Sequence, residues 1–499
     1  MSRFLKKYWH LIALALIILL GSFLRFYRLP QSTSFLNDTV RDIDKVREII
    51  QERKLVLLGP PTSIGSKEVG YGTVYFGPIF YYLLLPFLFL SRLDPMGPVL
   101  FVAALNSLSI LGIFFLGLKI FDREYLALII SSLLCFSAGH IYYSRFVWNP
   151  NLLVFFSILS LIFFYLSLEN KNSVYSFLLG IFLGVTIQLH YVSVFLGIFS
   201  FGYFFLKKEK RKFLFWMLLG ELIIFSPLLI FELRHNYLNL RSLIFIINQG
   251  LSRARVGFSL YNLNLMIRKL NIFFIGLKGK FWSFLPLLFL LVAWKNRSAK
   301  TKPIIGLFLL GLFSLAFVNF NGVMTERYLL SFLPIYYLML GIFLDDILEN
   351  IGYFGSLGII AVFFSFTLLH LFCEYPKIIK KNDKSLSFFQ QNAYIVIQDF
   401  KKSCSINQKI NIANLYSSDR RGESFRYFFM KEKLPLLPID NYHDADILYV
   451  IDKDYNWDGI VNNTDTWEVY SFEPKVLLDT IDGPEGVKIY KIGKKKKNG

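Results

Sequence analysis

Cysteine and charge are scarce in this chain, and each shortage removes a class of protein. Only three cysteines occur in 499 residues, Cys135, Cys373 and Cys404, and none stands at the spacing of a zinc site or a disulfide framework. Charged residues make up 18% against 55% hydrophobic, too little polar surface to cover a soluble body of this size. Soluble enzyme, disordered regulator and disulfide scaffold are therefore excluded. Acidic residues are also few, 35 against 54 Lys and Arg, for a net charge of +19. In so apolar a chain that excess reads as cytoplasmic loops and anionic membrane surface, and no nucleic-acid partner is expected. No internal repeat is evident.

What the chain has in abundance is apolar runs of bilayer length, which predict a polytopic α-helical membrane protein. After Arg3, Lys6 and Lys7 an apolar run covers residues 8–27. It lacks a small-residue cleavage site and reads as a retained first helix with a cytoplasmic N-terminus. Further spans are expected near 98–119, 124–142, 150–168, 174–189, 191–206, 213–232, 281–294, 303–320, 328–344 and 353–373, about eleven in all. The basic loops at 207–212 and 295–302 mark the cytoplasmic side of a plasma membrane. Counting outward from them places residues 30–73, 144–151, 188–191, 321–327 and everything after 373 outside. Residues 75–90 are apolar but would reach only about 24 Å as a helix, against a hydrocarbon core of about 30 Å. With Pro78 and Pro86 in them they read as a helix at the outer interface. The division is then 1–373 as a transmembrane domain, with 30–97 its external loop carrying interfacial helices, and 374–499 as a small extracytoplasmic α+β domain. Strands are expected at 447–451 and 487–491, a helix at 385–401 and a solvated end at 494–497.

The external loop holds the first candidate chemistry. Leu36, Val40, Ile43, Val46 and Ile50 form one apolar stripe, and Asp38, Arg41, Asp42 and Lys45 share another face, presenting two carboxylates towards the interface. Asn37 or Asp38 equally suits an N-cap, and Asp38–Arg41 or Asp42–Lys45 an ordinary helix pair, so both readings stand at this level. Turn-rich stretches follow at 58–62, 70–72 and 77–78. Other polar groups collect at helix ends: Arg145, Trp148 and Asn149; Gln188, His190 and Tyr191; Glu232, Arg234 and His235; Glu326, Arg327 and Tyr328. The topology places all of them at the outer face, and ionisable groups gathered at one depth of a helix bundle read as a site.

The stretches Asn37-Asp38-Thr39-Val40-Arg41-Asp42, 57–62, 77–82, 145–151, 188–191 and 326–334 resemble the GT-C glycosyltransferases, in particular bacterial relatives of the protein O-mannosyltransferases and aminoarabinose transferases (the glycosyltransferase 39 group). The resemblance covers most of residues 1–345 and none of the tail. It implies a GT-C fold and transfer of a hexose or pentose from a polyprenyl-phosphate donor to a glycan, lipid or protein acceptor outside the cytoplasmic membrane. Asp38 matches the family's acidic residue after the first helix, which the resemblance makes the catalytic base or the carboxylate that orients the acceptor, with Asp42 the other carboxylate. Arg327, Arg145, Arg234, His190 and Tyr328 are candidates for the donor phosphate. Arg41, Trp148, Asn149, Gln188, Glu232 and His235 are candidates for sugar or acceptor contacts. The sequence differs from the family at Thr39, where a second acid is common, at Asn149 and at Gly77, where a basic residue is usual. No cofactor is certain from the sequence; a divalent metal stays open but has no support from ligand spacing. A lipid or sugar flippase and a non-catalytic GT-C-like assembly subunit are the rival classes. Because every candidate precedes residue 345, the tail is expected to be dispensable for the chemical step.

Overall fold

The computed structural model describes residues 2–62, 73–170, 172–252, 259–295, 298–317, 325–382, 384–405, 407–454 and 456–494. The stretch 70–72 and residues 495–497 of the basic end lie outside these. All eleven expected spans are helical: Ser2–Phe26, Met96–Phe121, Glu124–Phe136 continued by Ala138–Tyr143, Leu153–Glu169, Ser173–Leu189, Val194–Leu206, Arg211–Arg234, Leu285–Lys295, Lys302–Phe317, Leu333–Asn350 and Gly352–Ile378. Among the described residues five helices are long and apolar enough to cross a membrane, and a bent pair makes six. The chain is a multi-pass membrane protein. Residues 75–90 contribute a shorter helix, Ile79–Leu90, with Pro86 inside it.

Small residues set the tightest packing. A Cβ at Gly180 would lie 1.9 Å from the Met217 carbonyl oxygen, and one at Gly220 2.3 Å from that of Phe177. Helices Ser173–Leu189 and Arg211–Arg234 thus touch backbone to backbone, as small residues permit between apolar helices.

One region is more regular than its sequence suggests. Residues 238–275 carry Asn, Arg and Lys among the apolar positions, which hides two helices, Leu238–Ser252 and Leu260–Leu270. The second runs through a π-turn, Asn271–Ile275, to Gly276 and Gly279, whose φ angles of +86° and +118° suit glycine. There the chain bends by 110° into Lys280–Trp294.

The chain separates into two compact units. One holds Met1–Tyr27, Ile49–Phe87 and Pro98–Ile378; the other holds Arg28–Glu48, Leu88–Gly97 and Ile379–Gly499. The second contains a four-stranded sheet, β1 Ile410–Asn414, β2 Ile447–Asp452, β3 Lys475–Asp482 and β4 Lys488–Lys494, in the order β1-β2-β4-β3. β1 and β2 run parallel, joined through helix Glu423–Lys431, and every residue of both is buried, as in a parallel pair covered on both faces. β4 pairs antiparallel with β2 and β3. Helix Leu386–Ser403 begins at Ser385, whose hydroxyl accepts from the Phe388 N–H.

Within this unit, residues 31–35 are stitched to the tail. The Asn382 N–H donates to the Gln31 carbonyl (3.0 Å), Leu386 N–H to Thr33 (2.8 Å) and Phe35 N–H to Lys384 (3.1 Å). Phe35 is wholly buried against Tyr427 and Phe428, and the Ser424 hydroxyl donates to its carbonyl at 2.9 Å. The Arg47 guanidinium reaches the Met430 sulfur at 3.5 Å. The tail is therefore bonded to the segment that leads into the acidic helix, a contact that the expectation of a dispensable tail did not include. That expectation used only the order of the candidates along the chain.

Candidate active site

The acidic helix is Asp38–Glu52, beginning after Asn37, which sits at φ +48°. Val40, Ile43, Val46 and Ile49 are buried along it, so Ile49 takes the inward place expected of Ile50. Its polar face differs from the expectation. Asp42 is fully buried, while the Asp38 side chain is 47% exposed, so only one carboxylate faces outward. The reason is breadth of packing: this helix buries Thr39, Asp42 and Arg47 as well as its apolar stripe.

Arg41 joins the two carboxylates. It donates to Asp38 Oδ1 at 2.6 Å and, through Nε and Nη2, to Asp42 Oδ1 at 2.9 and 2.8 Å. A buried carboxylate held by two donors of one guanidinium fixes that guanidinium in place. Asp42 thereby orients Arg41, and Arg41 orients Asp38. Farther along the helix, burial raises the Asp44 carboxyl above its usual range against the opposing pull of Arg47.

In the other unit, four loops converge. The stretches expected as turns pair with one another: the Gly59 N–H donates to the Phe76 carbonyl (2.9 Å), Phe76 N–H to Pro60 (3.0 Å) and Thr62 N–H to Val74 (2.7 Å). Asn239 clamps Tyr75 from both sides, accepting from its N–H at 2.7 Å and donating to its carbonyl at 3.1 Å. The Tyr191 hydroxyl donates to the same carbonyl at 2.7 Å. So held, the Phe76 ring lies 4.8 Å from Tyr191 and 5.6 Å from His190. His190 in turn meets the Tyr328 ring edge-on at 5.3 Å.

Arg327 completes the group. Its guanidinium carbon lies 5.0 Å from the Trp148 ring centroid and 5.2 Å from that of Tyr328, and Nη2 donates to the Tyr328 hydroxyl at 3.4 Å. Trp148 stacks on Phe146, and Asn149 ties the loop to the end of helix Ser173–Leu189 by donating to the Leu189 carbonyl at 2.6 Å. A half-buried guanidinium on an aromatic shelf is weakly hydrated and keeps its planar donor edge, which suits phosphate. His190 is neutral. Burial, with the Arg327 charge adding to it, lowers its imidazole to about 3, and Nδ1 accepts from the Val192 N–H at 3.3 Å. The proton then sits on Nε2, so His190 offers one N–H donor and no charge.

The structure thus groups Arg327, Tyr328, Trp148, Asn149 and His190. Gln188 is adjacent but occupied: Oε1 accepts from the Ile79 N–H at 3.3 Å and Nε2 donates to the Ile224 carbonyl at 2.6 Å. It also explains Gly77, since a Cβ there would lie 2.1 Å from Gln188 Oε1. Arg145 is buried elsewhere and caps the first helix, donating to the carbonyls of Leu24, Arg25 and Tyr27 at 3.0, 2.8 and 2.7 Å. Glu232 accepts from the Leu240 N–H at 3.1 Å. Arg234 and His235 are exposed, the latter stacked on Phe231. Asn239, Tyr75 and Lys269, which pairs with Glu326 at 2.8 Å, were missed.

Among the described residues no group of three or more His, Cys, Asp or Glu is placed to hold a metal ion. No protein-family model matches the chain, and no curated protein matches it. Solved structures do. The crystal structure of ArnT from Cupriavidus metallidurans bound to undecaprenyl phosphate is similar over 97% of this chain and 98% of that one, with a TM-score of 0.58 at 12% sequence identity. At that identity the likeness is one of fold, and it extends over both units. The chain has the GT-C fold of ArnT.

Proposed function

We propose that the protein is a membrane glycosyltransferase that moves a sugar from a polyprenyl-phosphate donor to an acceptor outside the cytoplasmic membrane. The observation that carries this reading is the ArnT fold over nearly the whole of both chains, in a neighbour whose structure holds undecaprenyl phosphate. The N-terminus is cytoplasmic in this reading, and the domain after 373 is extracytoplasmic.

The transfer makes one bond and breaks one. The acceptor hydroxyl oxygen attacks the anomeric carbon, its proton passes to a base, and the bond from that carbon to the phosphate oxygen breaks. The bonding pair leaves with the phosphate. Asp38, the outward carboxylate of its helix, is the base, and the Asp42–Arg41 pair holds its orientation. Arg327 receives the charge that develops on the leaving phosphate, with the His190 Nε2–H and the Tyr328 hydroxyl as neutral donors. Trp148 and Asn149 contribute to the sugar side.

Transfer of radiolabelled sugar from a polyprenyl-phosphate donor in membranes with and without the protein tests this reading. Label appearing in a product only with the protein is the expected result. Movement of intact donor between leaflets without transfer would establish the flippase reading, and neither activity would leave an assembly subunit.

A further inference from the structure

The 110° bend at Gly276 and Gly279 does more than break a helix. It brings Arg268, before the break, and Lys280, after it, to one cavity of about 600 Å³. Leu263, Ile267 and Phe284 give the cavity an apolar wall, and the Ser283 hydroxyl also lines it. No carboxylate is among its lining residues. Arg268 Nε and Ser283 Oγ are buried with no hydrogen-bond partner in the protein. The neighbouring cation, Lys269, is neutralised by Glu326 at 2.8 Å, whereas Arg268 and Lys280 have no ion pair among the described residues. Leu260, Tyr261, Phe281 and Phe284 are exposed by 69%, 74%, 75% and 66%, on the two helical segments that form the cavity. Large exposed apolar and aromatic side chains beside cations are the pattern of a bilayer interface.

Burying a guanidinium nitrogen and a hydroxyl without partners costs free energy unless a ligand supplies acceptors. The ligand must carry negative charge for the two cations and hydrocarbon for the wall. A volume of this size accommodates a head group and the first part of its chains. The absence of a lining carboxylate disfavours a zwitterionic head, whose ammonium would have no partner.

We propose that this cavity binds the phosphate head group of an anionic phospholipid from the surrounding bilayer. Arg268 and Lys280 supply the counter-charge, and the Ser283 hydroxyl donates to a phosphate oxygen. The site uses none of the residues assigned to sugar transfer, and its test needs no turnover.

Native mass spectrometry of the full chain, titrated separately with dioleoyl-phosphatidylglycerol and dioleoyl-phosphatidylcholine, reads the site directly. Tighter binding of the glycerol lipid is expected. Arg268→Gln or Lys280→Gln should weaken it about fivefold each, and both together about thirtyfold, from roughly 1 kcal/mol per cation. Arg268→Lys, which keeps the charge, should retain most of the binding and serves as the folded control. Equal binding of the two lipids, or undiminished binding by the double variant, overturns the proposal. So does complete displacement by inorganic phosphate, which would make this a free-anion site, or by a polyprenyl phosphate at equal concentration, which would make it the donor's.

Discussion

The acidic helix and the Arg327 shelf are built on opposite principles. Asp38, Arg41 and Asp42 come from five consecutive residues on one helix, and their geometry follows from helical spacing plus one buried ion pair. Arg327, Trp148, His190 and Phe76 come from four loops separated by tens to hundreds of residues, and their geometry follows from ring packing and from long-range hydrogen bonds that hold the loops. A local motif tolerates drift in the surrounding structure but depends on whatever holds its helix. A convergent shelf needs every loop in place, and its support is spread over several hydrogen bonds between distant segments.

The sharpest way to break this contrast is to remove what holds the helix. Ending the chain at Lys380 deletes the segment to which residues 31–35 are bonded. Turnover should be abolished, and limited proteolysis should open residues 30–48 while the spans stay inserted. Retained turnover on a small acceptor would show that the acidic helix keeps its place without the tail.

Next comes Asp38→Asn, which keeps size and removes basicity. A loss of about 10² to 10⁴ in turnover at saturating donor is expected for a general base. Near-normal turnover would leave Asp38 as the structural partner of Arg41 at the start of its helix. Asp42→Asn is the companion: it should lower stability by about 1–3 kcal/mol through the buried bond it weakens and reduce turnover less. The reverse ranking would move the base to Asp42.

On the shelf, Arg327→Ala should cost about 10² to 10³ in turnover, the usual effect of removing one donor to developing charge. Arg327→Lys should recover only part, because an ammonium neither stacks on Trp148 as a plane nor presents a forked edge. Full recovery by Lys would reduce the shelf to a point charge.

The smallest effect concerns pH. His190, held near 3, stays neutral from pH 5 to 8, so His190→Gln should leave the shape of the turnover profile unchanged across that range. Its depressed value also has a sign for stability. The contribution is complete above about 6.5, the unfolded value, and is lost as pH falls towards 3. A profile whose acid limb disappears in the Gln variant would make His190 a titrating group.

Apolar run length, basic loops and helical spacing were all legible in the sequence. They anticipated every one of the eleven helical stretches, the amphipathic helix at Asp38 and two of the four strands, because bilayer length and period are local properties. Helices Leu238–Ser252 and Leu260–Leu270 escaped because polar residues break their apolar pattern, and β1 and β3 because a strand's place depends on its partners. The sequence alone also determined which residue types were available at the helix ends. Tertiary structure decided what they do. It buried Asp42 beneath Arg41, turned Arg145 into a helix cap, filled the space at Gly77 with Gln188, and laid Arg327 across Trp148. Helical spacing fixes which side chains share a face, but burial and partners depend on segments far away in sequence, and no local pattern records them.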